Sequence, residues 1–419
     1  KKSFEEIEQK IDQNNHIINQ NKIPVNDVSN LHHPILKYFF DGCNELNIKF
    51  NKNLNTNISN QVGHYNINTF KGIRHSSSKV FLKPIINNNR IKLMTNTKVK
   101  KLLIKDNKIF SLELLSNGNI LKIKPNIGTI LSAGSIMTPY ILMHSGIGDP
   151  KKIKSINKDV IINNPHVGKN LQDHLGLDYL FRTYHPSLNR SLGTSTGRIK
   201  EILKYAYNRK GAFALSLNQA GGYLNWNSKH KYPNLQIYFN PVTYSITHKN
   251  KRPLLKTDKF DGFIIGYNSC RPKSLGEISV KSPDINDMPL IDPKFLSHDE
   301  DVHDVLCAVD FAKTLAKTRS ISIIREETIK NDLLNASNNE MIDHFKANAV
   351  SIYHPCGTCK MSNDGSYGVV SKRLKFHGLD NLWIVDASVF PNITSGNINA
   401  TVMMLANLSS KLIIEDIKN

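Results

Sequence analysis

The sequence predicts an α/β fold in which a partly parallel sheet is interrupted by an α+β domain built on a mostly antiparallel sheet. Three observations carry this. The run Leu382-Trp383-Ile384-Val385 is continuously apolar, as a parallel strand covered on both faces requires. Residues 127–144 read as strand, small-residue turn and helix, the unit from which parallel sheets are assembled. Between about 175 and 350, strands such as "NLQIYFNPVTY", "DGFIIGYNSC" and "GEISVKS" alternate with polar loops.

Taken in order, residues 1–60 are polar and Asn-rich, with one apolar helical patch at "HPILKYFFDGCNEL". Residues 61–86 begin as a strand and predict a helix after Gly72. In "KLMTNTKVKKLLIKDNKIFSLELLSNGNILKIKP", turn signals at Asp106-Asn107 and Asn117-Gly118 separate three short strands, an antiparallel meander. Ile127–Leu131 then reads as a buried strand, Ser132-Ala133-Gly134 as a tight turn and 135–144 as a helix. Such a turn lets a backbone approach a phosphate. A helix is expected over 301–316, with Val302, Val305, Leu306, Val309 and Ala316 as its core stripe. After Asp386-Ala387-Ser388, Pro391 and Gly396 bound a loop. A final helix runs from Asn399 to about Glu415, with Val402, Leu405, Ala406, Ser409 and Leu412 on one face and Asn397 or Asn399 as cap.

Composition narrows the function classes. The 419 residues suit two or three domains with a core that needs no staples. No apolar run of about 18 residues is present, so no membrane span is expected. The net charge of +20 reads as a biased codon supply, because Lys, Asn and Ile are plentiful throughout. The densest basic stretches, "KVKKLLIKDNK" and "HKNKRPLLK", lack interleaved aromatics, so no nucleic-acid partner is expected. Cysteines fall at 43, 270, 307, 356 and 359, too few and odd in number for a disulfide framework. Cys356 and Cys359 form a C-x-x-C pair without a second pair to complete a zinc site, and Pro355 and Gly357 make it a loop. No metal is expected, and attention moves to the adjacent His354.

The segments "ILSAGSIMTPYILMHSGIG", "NPHVGKNLQDH", "CRPKSLGEISVKSPDINDMPLIDPKFLSHDED", "YHPCGTCKM" and "GVVSKRLKFHGLDNLWIVDASVFPNITSGNINATVMM" occur in this order. Together they resemble the glucose-methanol-choline (GMC) flavin oxidoreductases, most closely the choline-dehydrogenase-like branch, over roughly residues 61–419. The resemblance implies an FAD-binding domain and a substrate domain. The expected division is 1–86 as a partial N-terminal region, 87–175 as the middle part of the FAD domain, 176–352 as the substrate domain and 353–419 as the C-terminal FAD part. The family's G-x-G-x-x-G fingerprint does not occur in the sequence, so the FAD domain is expected to lack its N-terminal βαβ unit and to hold FAD weakly.

The resemblance further implies oxidation of a small primary alcohol, choline-like or other, with hydride passing to FAD and then to an acceptor, quinone or oxygen. It places the catalytic pair on His354 and Asn397. Implied cofactor contacts are Val99 at the adenine, Ala133, Gly134, Asp386 and Ala387 near the pyrophosphate, and Asn397, Asn399 and Thr401 by the flavin ring. A neutral imidazole has the basicity this step needs, and an amide can donate to a developing alkoxide without titrating. His174 is read as structural, and Tyr238, Phe239 and Tyr244 as candidates for a cation cage. A cytoplasmic or membrane-associated location is expected. Two rival readings stay open: a catalytically incomplete GMC chain, and a basic binding protein.

Overall fold

The computed structural model describes residues 2–11, 19, 21–56, 60–229, 231–249, 252–329 and 334–418. Asn250 and Lys251, within the basic stretch "HKNKRPLLK", lie outside these. After a short N-terminal helix at Lys2–Ile7, helix α1 (Leu36–Glu45) buries Leu36, Phe39, Gly42 and Cys43. Strands β1 (Lys49–Phe50) and β2 (Gln61–His64) follow. The helix expected after Gly72 is reduced to the single turn Ser78–Leu82. The meander is present as β3 (Thr97–Lys105), β4 (Lys108–Ser116) and β5 (Asn119–Ile123). Its turn residues Asp106, Asn107, Asn117 and Gly118 all take positive φ, the conformation that tight two-residue hairpins need.

The parallel unit is strand β6 (Thr129–Leu131) followed by helix α2 (Gly134–His144). β6 pairs in parallel with β13 (Leu382–Ile384), Thr129 opposite Leu382. The run 127–131 is not buried throughout as the sequence suggests: Thr129 and Leu131 are buried, whereas Ile130 of β6 and Ile127 before it are exposed. The last helix, α6 (Asn399–Lys418), buries Leu405, Ser409 and Ile413, whereas Ala406 is exposed.

The larger sheet is formed by β7 (Leu175–Thr183), β8 (Ala220–Leu224), β9 (Leu235–Asn240), β10 (Gly262–Ser269), β11 (Arg325–Ile329) and β12 (Val350–Ser351), together with β1 and β2. Its order is β11-β7-β10-β9-β8-β2-β1, with β12 also on β7. All pairings are antiparallel except β2–β1. The pleat separates two faces. Leu177, Tyr179, Phe181, Ile237, Phe239, Phe263 and Ile265 join one core, beneath helices α4 (Asp299–Lys317) and α5 (Asn338–Asn348). The alternate positions Gly176, Asp178, Gln236, Tyr238, Asn240 and Asn268 line a cavity on the other face.

Helix α4 starts at His298, whose ring accepts from Glu300 N, and its first turn is acidic, which suits the helix dipole. Its buried stripe runs through Val305, Ala308, Val309, Ala312, Leu315 and Ala316, while Val302 and Leu306 are only half-buried. A second core holds Leu102, Leu131, Tyr140, Leu142, Val167, Leu382 and Ile384 with Cys356 and Cys359. Burial raises both of those thiols, Cys356 to about 12. Among the described residues no group of three or more His, Cys, Asp or Glu is arranged to hold a metal.

Candidate active site

His354 and Asn397 meet. Asn397 Nδ2 lies 3.1 Å from His354 Nε2 at the end of a cavity of about 700 Å³. The loop carrying His354 is stitched to both halves of the chain. Cys356 N donates to Gln172 O, Gly357 N to Ala387 O, and Cys359 N to Ser388 O. Thr358 Oγ1 donates to Ser135 O at the start of α2. The strand-end turn after β13 therefore positions the histidine loop directly.

The segment Gln172-Asp173-His174 holds the rest. Gln172 Oε1 accepts from Ile393 N, fixing the loop that leads to Asn397. Asp173 accepts from His354 N at 2.9 Å and from the Ser351 hydroxyl. Ser351 Oγ accepts from Tyr353 N, which holds Tyr353 at φ 64. A non-glycine residue in that region stores strain beside the His354 ring.

His174 is fully buried, and its Nδ1 lies 3.0 Å from His354 Nδ1. The tautomers follow by elimination. Cys270 O, 3.2 Å from His174 Nε2, can only accept, so that nitrogen carries the hydrogen. Burial, then the neighbouring His354, pushes His174 down to about 4, so it is neutral and its Nδ1 is bare. His354 Nδ1 must therefore donate to it. Burial also lowers the His354 pKa, so His354 is neutral as well, with its Nε2 lone pair toward Asn397 Nδ2 and the cavity. Asn397 Oδ1 in turn accepts from Gln236 Nε2 at 3.4 Å. His174, His354, Asn397 and Gln236 thus form one hydrogen-bonded chain. Sequence reading gave His174 a structural part alone. Its contact with His354 spans 180 residues, which no local pattern reveals.

Asn397 is not a helix cap. Ile398 O opens α6 by accepting from Val402 N. Asn399 is exposed and Thr401 half-buried in the first turn of α6. Gly134, Asp386 and Ala387 gather at the ends of β6 and β13. Asp386 accepts from Gly134 N at 2.9 Å, Thr138 Oγ1 at 2.6 Å and Ser388 N at 2.8 Å, so its carboxylate ties the two strand-end turns together. Ala133 N donates to Thr138 Oγ1, and Ala133 itself is exposed. Val99 pairs with Leu114, and the β3–β4 register shifts just after it, leaving Lys100 outside the ladder.

Among the described residues the cavity lining holds one carboxylate, Asp178. Asp178, Gly266 and Tyr238 are cross-strand neighbours. A Cβ at Gly266 would lie 2.4 Å from both Asp178 Oδ1 and Tyr238 Cε2, so the absent side chain is what lets these two side chains come together. Tyr65, Tyr244 and Tyr353 add further rings. Phe239 is not among them: it stacks on Phe39 and Phe263 in the core, since its strand position faces the other way. Gln236 Oε1 and Asn240 Oδ1 are buried without partners among the described residues.

GMC oxidoreductase family models match residues 1–176 and 272–406. The chain belongs to the GMC oxidoreductase family. It is 29% identical to the alcohol dehydrogenase [acceptor] of Pseudomonas putida over 99% of this chain and 74% of that protein. It is 26% identical to mitochondrial choline dehydrogenase of Mus musculus over 91% of this chain and 63% of that one. The chain thus spans about two thirds to three quarters of these relatives. Formate oxidase of Aspergillus oryzae RIB40 superposes with a TM-score of 0.86 at 21% identity, covering 99% and 77% of the two chains. Pyridoxine 4-oxidase from Mesorbium loti gives 0.79 at 23%, covering 94% and 72%. The GMC fold is therefore shared.

FAD is the cofactor of this family, and the strand-end cradle fits such a group. Gly134 takes φ 83, and a Cβ there would meet nothing within 4 Å, so an open, side-chain-free turn sits at the start of α2. Ala133 beside it is exposed. The lack of side chains there lets a ligand approach the backbone closely, while the Ala133 and Gly134 amides are held by Thr138 and Asp386.

Proposed function

We propose that the chain is the catalytic part of an FAD-dependent enzyme that oxidises a primary alcohol. The observation that carries this is the 3.1 Å approach of Asn397 Nδ2 to a bare His354 Nε2 at the cavity end. An alcohol oxygen on the cavity side, within reach of both, donates its proton to Nε2 and accepts from Nδ2. As the proton leaves, the amide stabilises the growing alkoxide without titrating. His354 becomes cationic, and its Nδ1–H keeps its bond to His174. The proton stays on His354, because the buried His174 resists protonation.

When bound, FAD supplies the hydride acceptor for the carbinol carbon. Val99 would flank the adenine, Ala133, Gly134 and Ala387 the pyrophosphate, and Asn397, Asn399 and Thr401 the ring. Asp386 acts on that site by holding the Gly134 turn. The free N–H groups at the start of α6 would favour negative charge on a neighbouring group.

Asp178 and the tyrosines favour a cationic alcohol. Asp178 is two strand positions from the Gly176–Asn268–Gln236 row next to Asn397, about 7 Å along the strand at the usual rise. A short spacer between hydroxyl and cation spans that distance. The test is the FAD-loaded protein with a soluble dye as electron acceptor. Dye reduction that requires a primary alcohol supports the reading. A protein that carries flavin yet reduces no dye with choline, ethanolamine or aliphatic primary alcohols contradicts it.

A further inference from the structure

Helix α3 (Ser195–Asn208) is set on the protein the wrong way round for a helix that packs a core. None of its residues is buried. The face turned inward carries Gly197, Glu201 and Tyr205, spaced by four. Glu201 Oε2 accepts from Ala212 N at 2.8 Å, and Tyr205 OH donates to Gly72 O at 3.0 Å. The face turned outward carries Ile199, Ile202, Leu203 and Tyr207, between 53% and 93% exposed, with Ala206 among them and Phe213 just beyond.

At about 100° per residue, these apolar positions fill one continuous sector opposite the inward face. Arg198 borders the sector on one side, and Lys200 and Lys204 on the other. Residues 194–210 hold five basic residues, Arg198, Lys200, Lys204, Arg209 and Lys210, and a single acid, and that acid, Glu201, is turned inward.

We propose that α3 is a surface anchor that lies in the plane of an anionic lipid bilayer. An outward apolar stripe with cationic rims on both sides is the arrangement that seats a helix at the headgroup–acyl boundary. Charge favours lipid over a second copy of this chain. Two copies meeting on this face would bring their Lys and Arg rims together, whereas anionic headgroups neutralise them. The chain's net charge of +20 adds to the attraction. Among the described residues no helix is long and apolar enough to cross a membrane, and the attachment proposed for α3 is in the plane of the bilayer surface. Ser216 and Asn218, shortly after α3, line the reaction cavity, so the anchor would hold the cavity beside the lipid.

The experiment is co-sedimentation of the full chain with phosphatidylcholine vesicles and with mixed phosphatidylcholine–phosphatidylglycerol vesicles. The proposal expects binding to the mixed vesicles at least ~10-fold stronger, weakened by salt. Ile199→Ser with Leu203→Ser, and separately Lys200→Glu with Lys204→Glu, should each abolish that preference while the far-UV spectrum and melting stay as they were. Ile120→Ser, an exposed apolar control on β5, should leave binding intact. In Tyr207→Trp, brominated lipid should quench the emission of the introduced indole. The proposal is overturned if both paired variants bind as the parent does, or if the indole is not quenched. It is also overturned if the α3 variants dissociate a dimer in light scattering and leave vesicle binding unchanged.

Discussion

His174 Nδ1 lies 3.0 Å from His354 Nδ1, so a fully buried histidine outside the cavity lining dictates which nitrogen of His354 faces the cavity. Replacing His174 by Phe keeps a buried ring but removes the acceptor. His354 is then free to adopt the other tautomer. We expect kcat to fall on the order of 10–100-fold, the scale seen when an orienting partner is lost. His174→Asn, which retains an oxygen acceptor, should recover part of the loss. Nitrogen-15 NMR of the imidazoles provides a readout independent of turnover: a second His354 tautomer should appear in the Phe variant only.

Asn397→Ala should lower kcat by about 10²–10³-fold, the usual weight of one donor at a developing oxyanion. KM should change little. Steady-state kinetics separate this from a binding defect, which would raise KM at constant kcat.

Asp178→Asn should raise KM for a cationic alcohol roughly tenfold or more, since a charged interaction in a desolvated pocket is lost. A neutral alcohol of the same size should be unaffected. Equal changes for both would show that Asp178 does not read charge.

Gly266→Ala places a methyl carbon 2.4 Å from the Tyr238 ring and the Asp178 carboxylate. Overpacking of this kind costs about 1–3 kcal/mol, readable as a lower urea midpoint. It should also displace Asp178 and so raise KM for the cationic alcohol.

Acid should destabilise the fold through its buried histidines. Burial holds His174, His144 and His32 near 4, below the usual 6.5. Between those values the unfolded chain binds more protons than the folded one. The stability these groups contribute is thus complete above about pH 6.5 and lost as pH falls toward 4. Chemical denaturation from neutral pH down to that value should show the slope. Activity should fall at acid pH for a related reason. His354 also titrates below 6.5, so kcat/KM should be flat near neutrality and drop only on the acid side.

The parts of this account that follow local rules were legible in the sequence. The meander was marked by its Asn-Gly and Asp-Asn turns, and the β13 strand by an unbroken apolar run. The pairing of His354 with Asn397 came from a family resemblance, and the structure brings the two side chains together. Three things were not legible. The exposure of one face of β6 depends on what packs over it, not on its own residues. Phe239 and Tyr238 are adjacent and alike, and only the register against β10 decides which one faces the cavity. Gln172, Asp173 and His174 bond to residues far away in the chain, so nothing in their own neighbourhood marks them as the frame of the site.

The central claim is that His354 takes the alcohol proton. It is tested most directly by kcat of the FAD-loaded His354→Ala variant at saturating alcohol, with flavin content checked by absorbance. A fall of about 10²–10⁴-fold at unchanged flavin content is predicted, as for loss of a positioned base. A kcat within about threefold of the parent, under half a power of ten against that expectation, would contradict the assignment.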